Sequence, residues 1–239
     1  MKCLIRAVFF DLDETLYDYG SIRKVANQEV AKLVEKMGLT SSETFIQTLR
    51  LVTREVYEKY RESPLLFDRK YRFKEIFRVL EIDVNEETVA RLVNQYWNYV
   101  YQHIKPYTDV IPVLETLKAK GYKLGIISDG LVEIQINRVK ALNLQKYFDT
   151  YTFSEEVGKN KPSSEIFQLA LKRTRCKPSE SVMVGDNVKT DIAGANKVGM
   201  ISVWIRRGIF KNIKPDNPIE IPNYTITDLN ELISILDHL

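Results

Sequence analysis

Short continuous apolar runs punctuate the chain at Ala7-Val8-Phe9-Phe10, Leu124-Gly125-Ile126-Ile127, Val182-Met183-Val184 and Ile201-Ser202-Val203-Trp204-Ile205, with a weaker one at Tyr151-Thr152-Phe153. Such runs are the pattern of strands buried on both faces. Between them, helical patterns extend over Val110 to Lys120, closed by Gly121, over Leu131 to Leu142, over Glu165 to Arg173, and over Ile192 to Lys197, closed by Gly199. Strands alternating with helices predict an α/β domain built on a parallel sheet.

One long interval breaks the alternation. From about Ser21 to Tyr101 the pattern is helical throughout. Ile22, Val25, Ala26, Val30, Leu33, Val34 and Met37 keep a helical period, and Gly38 supplies a stop. Thr40-Ser41-Ser42-Glu43 reads as a capping box opening a second helix that ends before Pro64. Ile76, Phe77 and Leu80 mark a third helix. Asp83-Val84-Asn85-Glu86 caps a fourth, which carries Val89, Leu92, Val93, Tyr96, Trp97 and Val100. Four helices there predict a small bundle with its own core, inserted after the first strand, with hinges near residues 17–20 and 103–108. Tyr96 and Trp97 read as bundle interior.

Composition narrows the chemistry. With 239 residues the chain fits one large domain, or a core domain with a smaller one inserted. Its 44% hydrophobic and 28% charged residues are those of an ordinary globular protein, and no apolar run reaches the roughly 18 residues that span a bilayer. Met1 to Arg6 leads straight into the first strand, so a cytoplasmic location is the expectation. A net charge of +3 without a clustered basic stripe gives no case for nucleic acid. Cys3 and Cys176 lack the spacing of a zinc site or disulfide framework and read as packing residues. Only His103 and His238 carry imidazole, so catalysis is expected to rest on carboxylates and lysines.

Those residues fall where an open parallel sheet binds ligands, beyond the carboxyl ends of its strands. The first strand ends on Asp11, with Asp13 two residues on. The second core strand ends on Ser128-Asp129-Gly130, and the strand at 182–184 ends on Gly185-Asp186, with Asp191 following. Between the last two lies Lys161-Pro162, read as a helix start. Asp11-Leu12-Asp13-Glu14-Thr15-Leu16 resembles the first motif of the haloacid dehalogenase-like hydrolase superfamily. Ser128, Lys161 and Gly185-Asp186 with Asp191 resemble its second, third and fourth motifs, in the same order.

The resemblance spans essentially the whole chain. It implies a Rossmann-like three-layer parallel-sheet core, residues 1–17 and 106–239, with an inserted four-helix cap, residues 18–105. It also implies a Mg²⁺-dependent phosphatase acting on a small-molecule phosphate monoester, as a monomer or homodimer. In that reading Asp11 is the nucleophile and Asp13 the general acid and base. Ser128 and Lys161 bind the phosphoryl group. Asp11, Asp186 and the backbone carbonyl of Asp13 hold the metal, with Asp191 supporting from behind. Asp129 stands where the family more often has Asn, and no side-chain role carries over to it. Glu14 reads as a solvated neighbour.

Other chemistries share the fold. A 2-haloacid dehalogenase needs neither metal nor an acid two residues after the nucleophile, so Asp13 argues against it. A sugar-phosphate mutase keeps all four motifs, whereas a phosphonate-cleaving relative needs a cap lysine that the sequence does not single out. A non-enzymatic binding module usually loses the aspartates that are retained here. Arg69 and Arg72, in the densest cationic stretch of the insert, are candidates for substrate specificity; the competing reading makes them a solvated helix face.

Overall fold

The computed structural model describes residues 4–239, so Cys3 lies outside the described residues. Six strands form one parallel sheet among them: β1 (Ala7–Phe10), β2 (Lys123–Ser128), β3 (Thr150–Phe153), β4 (Ser181–Gly185), β5 (Ile201–Ile205) and β6 (Tyr224–Ile226). Their order is β3-β2-β1-β4-β5-β6. Strand order reverses at β1, which pairs with β2 on one side and β4 on the other. The crevice beyond the ends of these three strands is where a doubly wound sheet takes its ligand.

Side chains alternate between the two faces of the sheet. Val8 and Phe10 join one core with helices α5 (Val110–Ala119), α6 (Val132–Ala141) and α9 (Asn230–His238). Ala7 and Phe9 join another with α7 (Ser164–Thr174) and α8 (Ala193–Val198). Two covered faces make three layers and explain why the strands read as continuous apolar runs. Strand β6 and helix α9 were not expected from sequence. Of the three β6 residues only Ile226 is buried, which leaves no apolar run to find.

Between β1 and α5 lie four helices: α1 (Tyr19–Lys36), α2 (Ser42–Tyr60), α3 (Arg69–Val79) and α4 (Glu86–His103). Side-chain caps set all four of their starts, Asp18 accepting from the Ser21 amide at the first. Ser41 accepts from the Thr44 amide, Asp68 from Tyr71 and Asn85 from Thr88. The expected capping box is thus offset by one residue, with Ser41 as the cap. The helices do not have a separate core: Ala26, Val30, Phe45, Phe77 and Leu92 belong to the same cluster as Val8 and Phe10, continuous through Leu16 and Tyr17. The two segments joining insert to sheet are paired, since Tyr17 bridges Pro106 and the Tyr107 amide donates to the Leu16 carbonyl at 3.0 Å.

Two glycines allow the close approaches that shape the fourth motif. A Cβ at Gly185 would lie 2.4 Å from the Asp191 side chain, and one at Gly194 would lie 2.1 Å from the Phe167 ring. Gly194 lets α8 press against α7, which fixes the turn carrying Asp191. Gly194→Ala is therefore expected to overpack this contact and destabilise the fold by about 1–3 kcal/mol. A lowered urea midpoint checks this; an unchanged midpoint contradicts the packing.

Candidate active site

Asp11 follows β1 directly, its amide donating to the Val184 carbonyl of β4 at 2.9 Å. Asp186 follows β4, and Asp191 is delivered by a single π turn, Val188–Ile192, whose start is tied by the Asn187 amide donating to Asp191 Oδ2 at 3.0 Å. Carboxylate oxygens of Asp11, Asp186 and Asp191 lie within 4.8 Å of one another, all on buried residues. Lys161 enters this group from the loop before α7, three residues ahead of the helix that it was expected to begin. Its Nζ donates to Asp11 Oδ1 and Asp191 Oδ1, each at 2.6 Å, and to the Ile127 carbonyl at 3.2 Å.

Three buried carboxylates against one ammonium leave net negative charge in a poorly solvated space. Burial, followed by Asp191 and Asp13 repulsion, pushes Asp11 up to about 8 despite the opposing Lys161 charge. Burial and then the charges of Asp191 and Asp11 raise Asp186 well above the usual carboxylate range. Burial also works against the Lys161 ammonium, but Asp11 and Asp191 outweigh it and hold its pKa well above the ordinary lysine value. Asp186 Oδ2 is buried without a hydrogen-bond partner. A hard divalent cation fits this donor set, which is all oxygen and carries excess negative charge. Both oxygens of Asp191 already accept hydrogen bonds, from Lys161 and from the Asn187 amide.

Ser128 and Asp13 are joined through two residues that sequence reading did not single out. Gln135 Nε2 donates to Ser128 Oγ at 2.9 Å, and Arg138 donates to Gln135 Oε1 at 2.8 Å. Arg138 also donates to both oxygens of Asp13, at 2.9 and 2.7 Å, while the Tyr17 hydroxyl donates to Asp13 Oδ1 at 2.5 Å. The Arg138 guanidinium lies 4.2 Å from the Tyr19 ring and 4.9 Å from that of Trp97. Trp97 thus stands at the junction of insert and sheet domain, whereas Tyr96 is wholly interior. Gln135, Arg138, Val139 and Leu142 share one helical stripe, and two polar residues on an apolar stripe are the sequence signal for this relay.

Asp129 accepts the Lys161 amide at 2.9 Å and so fixes the lysine loop; burial raises its carboxyl to about 6 against the pull of Lys161. Glu14 is not solvated. Its buried carboxylate accepts the amides of Gly20 and Ile209, which ties the start of α1 to the loop after β5. Asn160, with no sequence signal, fastens the insert. Its amide donates to the Glu62 carbonyl at 3.0 Å, and its Nδ2 donates to the carbonyls of Arg61 at 3.1 Å and Ser63 at 2.8 Å.

These groups line one cavity of about 900 Å³, within the roughly 300–1,000 Å³ of small-molecule sites. Asp11, Asp13, Ser128, Lys161, Asp186 and Asp191 all face it, and so do Arg69 and Arg72. Arg69 is buried and Arg72 partly buried, so the solvated-face reading of these two is wrong. Both fall on the apolar stripes of α3, Arg69 in line with Phe73, Ile76 and Phe77.

A model described as haloacid dehalogenase-like hydrolase matches residues 8–205. The chain belongs to this family. It is 33% identical over 236 residues to the glyceraldehyde 3-phosphate phosphatase of Methanopyrus kandleri, covering 99% of each chain. It is 32% identical over 201 residues to the ribulose-1,5-bisphosphate 5-phosphatase of Halopiger xanaduensis, covering 82% of this chain and 83% of that one. Among solved structures, a HAD phosphatase from Thermococcus onnurineus superposes with a TM-score of 0.68 at 31% identity, covering 97% of this chain and 98% of that one. Membership fits an aspartate-rich crevice at the strand-order reversal. No helix among the described residues is long and apolar enough to cross a membrane.

The buried carboxylates predict a pH signature for this member of the family. An aspartate in an unfolded chain ionises near about pH 4, whereas Asp11 in the fold does so at about 8. Between those values the folded state holds a proton that the unfolded state has lost, so stability falls as pH rises through that window. In chelator, the denaturant midpoint should be lower at about pH 8 than at about pH 5. A divalent cation, by stabilising the ionised carboxylates, should shrink the difference. PH-independent stability in chelator would contradict this charge arrangement.

Proposed function

We propose that Asp11 is the nucleophile and Asp13 the general acid and base of a Mg²⁺-dependent phosphatase acting on small phosphorylated sugars. The chain is a phosphoric monoester hydrolase of the haloacid dehalogenase-like family. The carrying observation is the Lys161 ammonium held between Asp11 and Asp191, beside an Asp186 oxygen that has no partner.

In this reading Asp11, Asp186 and the Asp13 backbone carbonyl would hold Mg²⁺, which would supply the positive charge that offsets repulsion between an anionic ester and the carboxylates. Ser128 and Lys161 bind the phosphoryl oxygens, with Lys161 countering charge as it builds in the transition state. Asp11 attacks phosphorus, the ester oxygen departs with a proton from Asp13, and the phosphoryl group rests on Asp11 as an acyl-phosphate. Asp13 then takes a proton from the water that attacks the acyl-phosphate, releasing phosphate. Asp191 holds Lys161 from behind, and Arg138 and Tyr17 orient the Asp13 carboxylate.

Residues 18–105 form the cap that shuts over this chemistry, on a core of residues 1–17 and 106–239, and Arg69 and Arg72 on its α3 contribute to substrate choice. The substrate class follows from relatives whose names specify phosphorylated sugars. The same reading places the enzyme in the cytoplasm as a monomer or homodimer, with no nucleic-acid or membrane partner.

Asp11→Asn, close to isosteric, should abolish turnover of every phosphate ester while keeping the fold, because the bond-forming oxygen is lost. Retained turnover in the purified variant sinks the mechanism. Asp13→Ala should slow alkyl phosphates by about 10²–10⁴-fold and aryl phosphates, whose leaving group needs little protonation, by less. Steady-state rates on both ester types check this; equal losses would make Asp13 an organiser of the site rather than its acid.

A further inference from the structure

The insert side of the cavity carries more positive charge than the protein neutralises. Arg23 on α1 and Arg69 and Arg72 on α3 all line the space that holds Asp11, Ser128 and Lys161. Arg69 is only 6% exposed. Its guanidinium carbon sits 3.6 Å from the centre of the Tyr96 ring, and it donates to Asn27 Oδ1 at 3.1 Å. Arg72 donates to the Leu66 carbonyl; its Nε, like those of Arg138 and Arg207, is buried without a partner.

None of these three arginines makes an ion pair with a carboxylate among the described residues. The contrast lies within the same molecule. Arg138 and Arg207 are also largely buried, and each is matched by an acid, Arg138 with Asp13 at 2.7 Å and Arg207 with Asp109 at 2.8 Å. Each of those two guanidiniums is met by a carboxylate, and the pair on α3 is not. At Arg69 and Arg72 the partners are an aromatic face, a neutral amide and a carbonyl, which offset only part of the cost of burying charge. Burial, then repulsion from Arg69, brings Arg72 down to about 10. Cations that face a cavity without a carboxylate partner are built to receive an anion, and guanidinium suits carboxylate and phosphate oxygens.

The Lys161 end already accounts for the transferred phosphoryl group, so the anion received here is a different group of the same ligand. We propose that Arg72, supported by Arg69, binds a second anionic group of the substrate, which is therefore a small phosphate ester that also carries a carboxylate or a second phosphate. Arg72 supplies a guanidinium facing the cavity, and Arg69, held on Tyr96 and Asn27, adds charge behind it. The second group is bound and not cleaved. This inference rests on the phosphatase reading above and narrows its substrate class.

Matched ester pairs test it at fixed ionic strength with Mg²⁺ present: glycerol 3-phosphate against 3-phosphoglycerate, and fructose 6-phosphate against fructose 1,6-bisphosphate. The doubly anionic member of at least one pair should have a kcat/KM at least tenfold higher, and which pair shows it distinguishes carboxylate from phosphate. Arg72→Gln should reduce that ratio at least tenfold, chiefly through KM, and Arg72→Lys should restore part of it. Turnover of both members at equal kcat/KM overturns the inference while leaving the phosphatase reading standing. So does a wild-type preference that survives in Arg72→Gln. Absence of turnover on all four esters and on an aryl phosphate would overturn both. If Arg72→Gln does not fold, the wild-type ratios alone decide.

Discussion

Everything in this site depends on one buried ammonium. Lys161 Nζ sits 2.6 Å from oxygens of both Asp11 and Asp191, and without it three carboxylates from two strand ends would face one another with no counter-charge from the chain. Removing one partner of a buried ion pair typically costs about 3–5 kcal/mol, so the position of the lysine is a condition of the fold as well as of the chemistry. The surrounding devices serve that placement. Asp129 grips the Lys161 amide, the Ile127 carbonyl takes a third hydrogen bond, and the missing side chain at Gly185 makes room for Asp191.

The same electrostatics divides labour between the two regions of the molecule. On the sheet side the carboxylates exceed the cation, which favours a metal. On the insert side the cations exceed the carboxylates, which favours an anion. Asp13 and Arg138 stand at the seam, hydrogen-bonded to each other while touching both regions, since Arg138 rises from α6 to meet Trp97 of α4 and Tyr19 of α1. The continuous apolar cluster through Leu16 and Tyr17 makes the seam a packed joint rather than a flexible tether.

Legibility in the sequence follows from what each residue depends on. Strands buried on both faces announce themselves as apolar runs, and β1 and β5 have the bounds expected of them. The motif aspartates and Lys161 were readable because each lies at or near the end of such a run, in a known order. Gln135 and Arg138 were hidden because their partners are set by how α6 lies on the sheet, although their place on an apolar stripe was a signal. The burial of Glu14 depends on the loop at Ile209, nearly the whole chain away, and no local pattern encodes such a meeting. Strand β6 escaped because an edge strand that buries one residue in three has no periodicity to show.

The Asn160 contacts couple the rim of the cavity to its floor. Three hydrogen bonds from this one residue hold the loop at Arg61 to Ser63 against the sheet domain, and the residue beside it is the buried lysine. At about 1 kcal/mol net for each bond, they resist separation of this loop from the segment that carries Lys161. Any displacement of the insert at this rim therefore pulls on the segment that carries Lys161, so the rim and the buried ammonium cannot move independently.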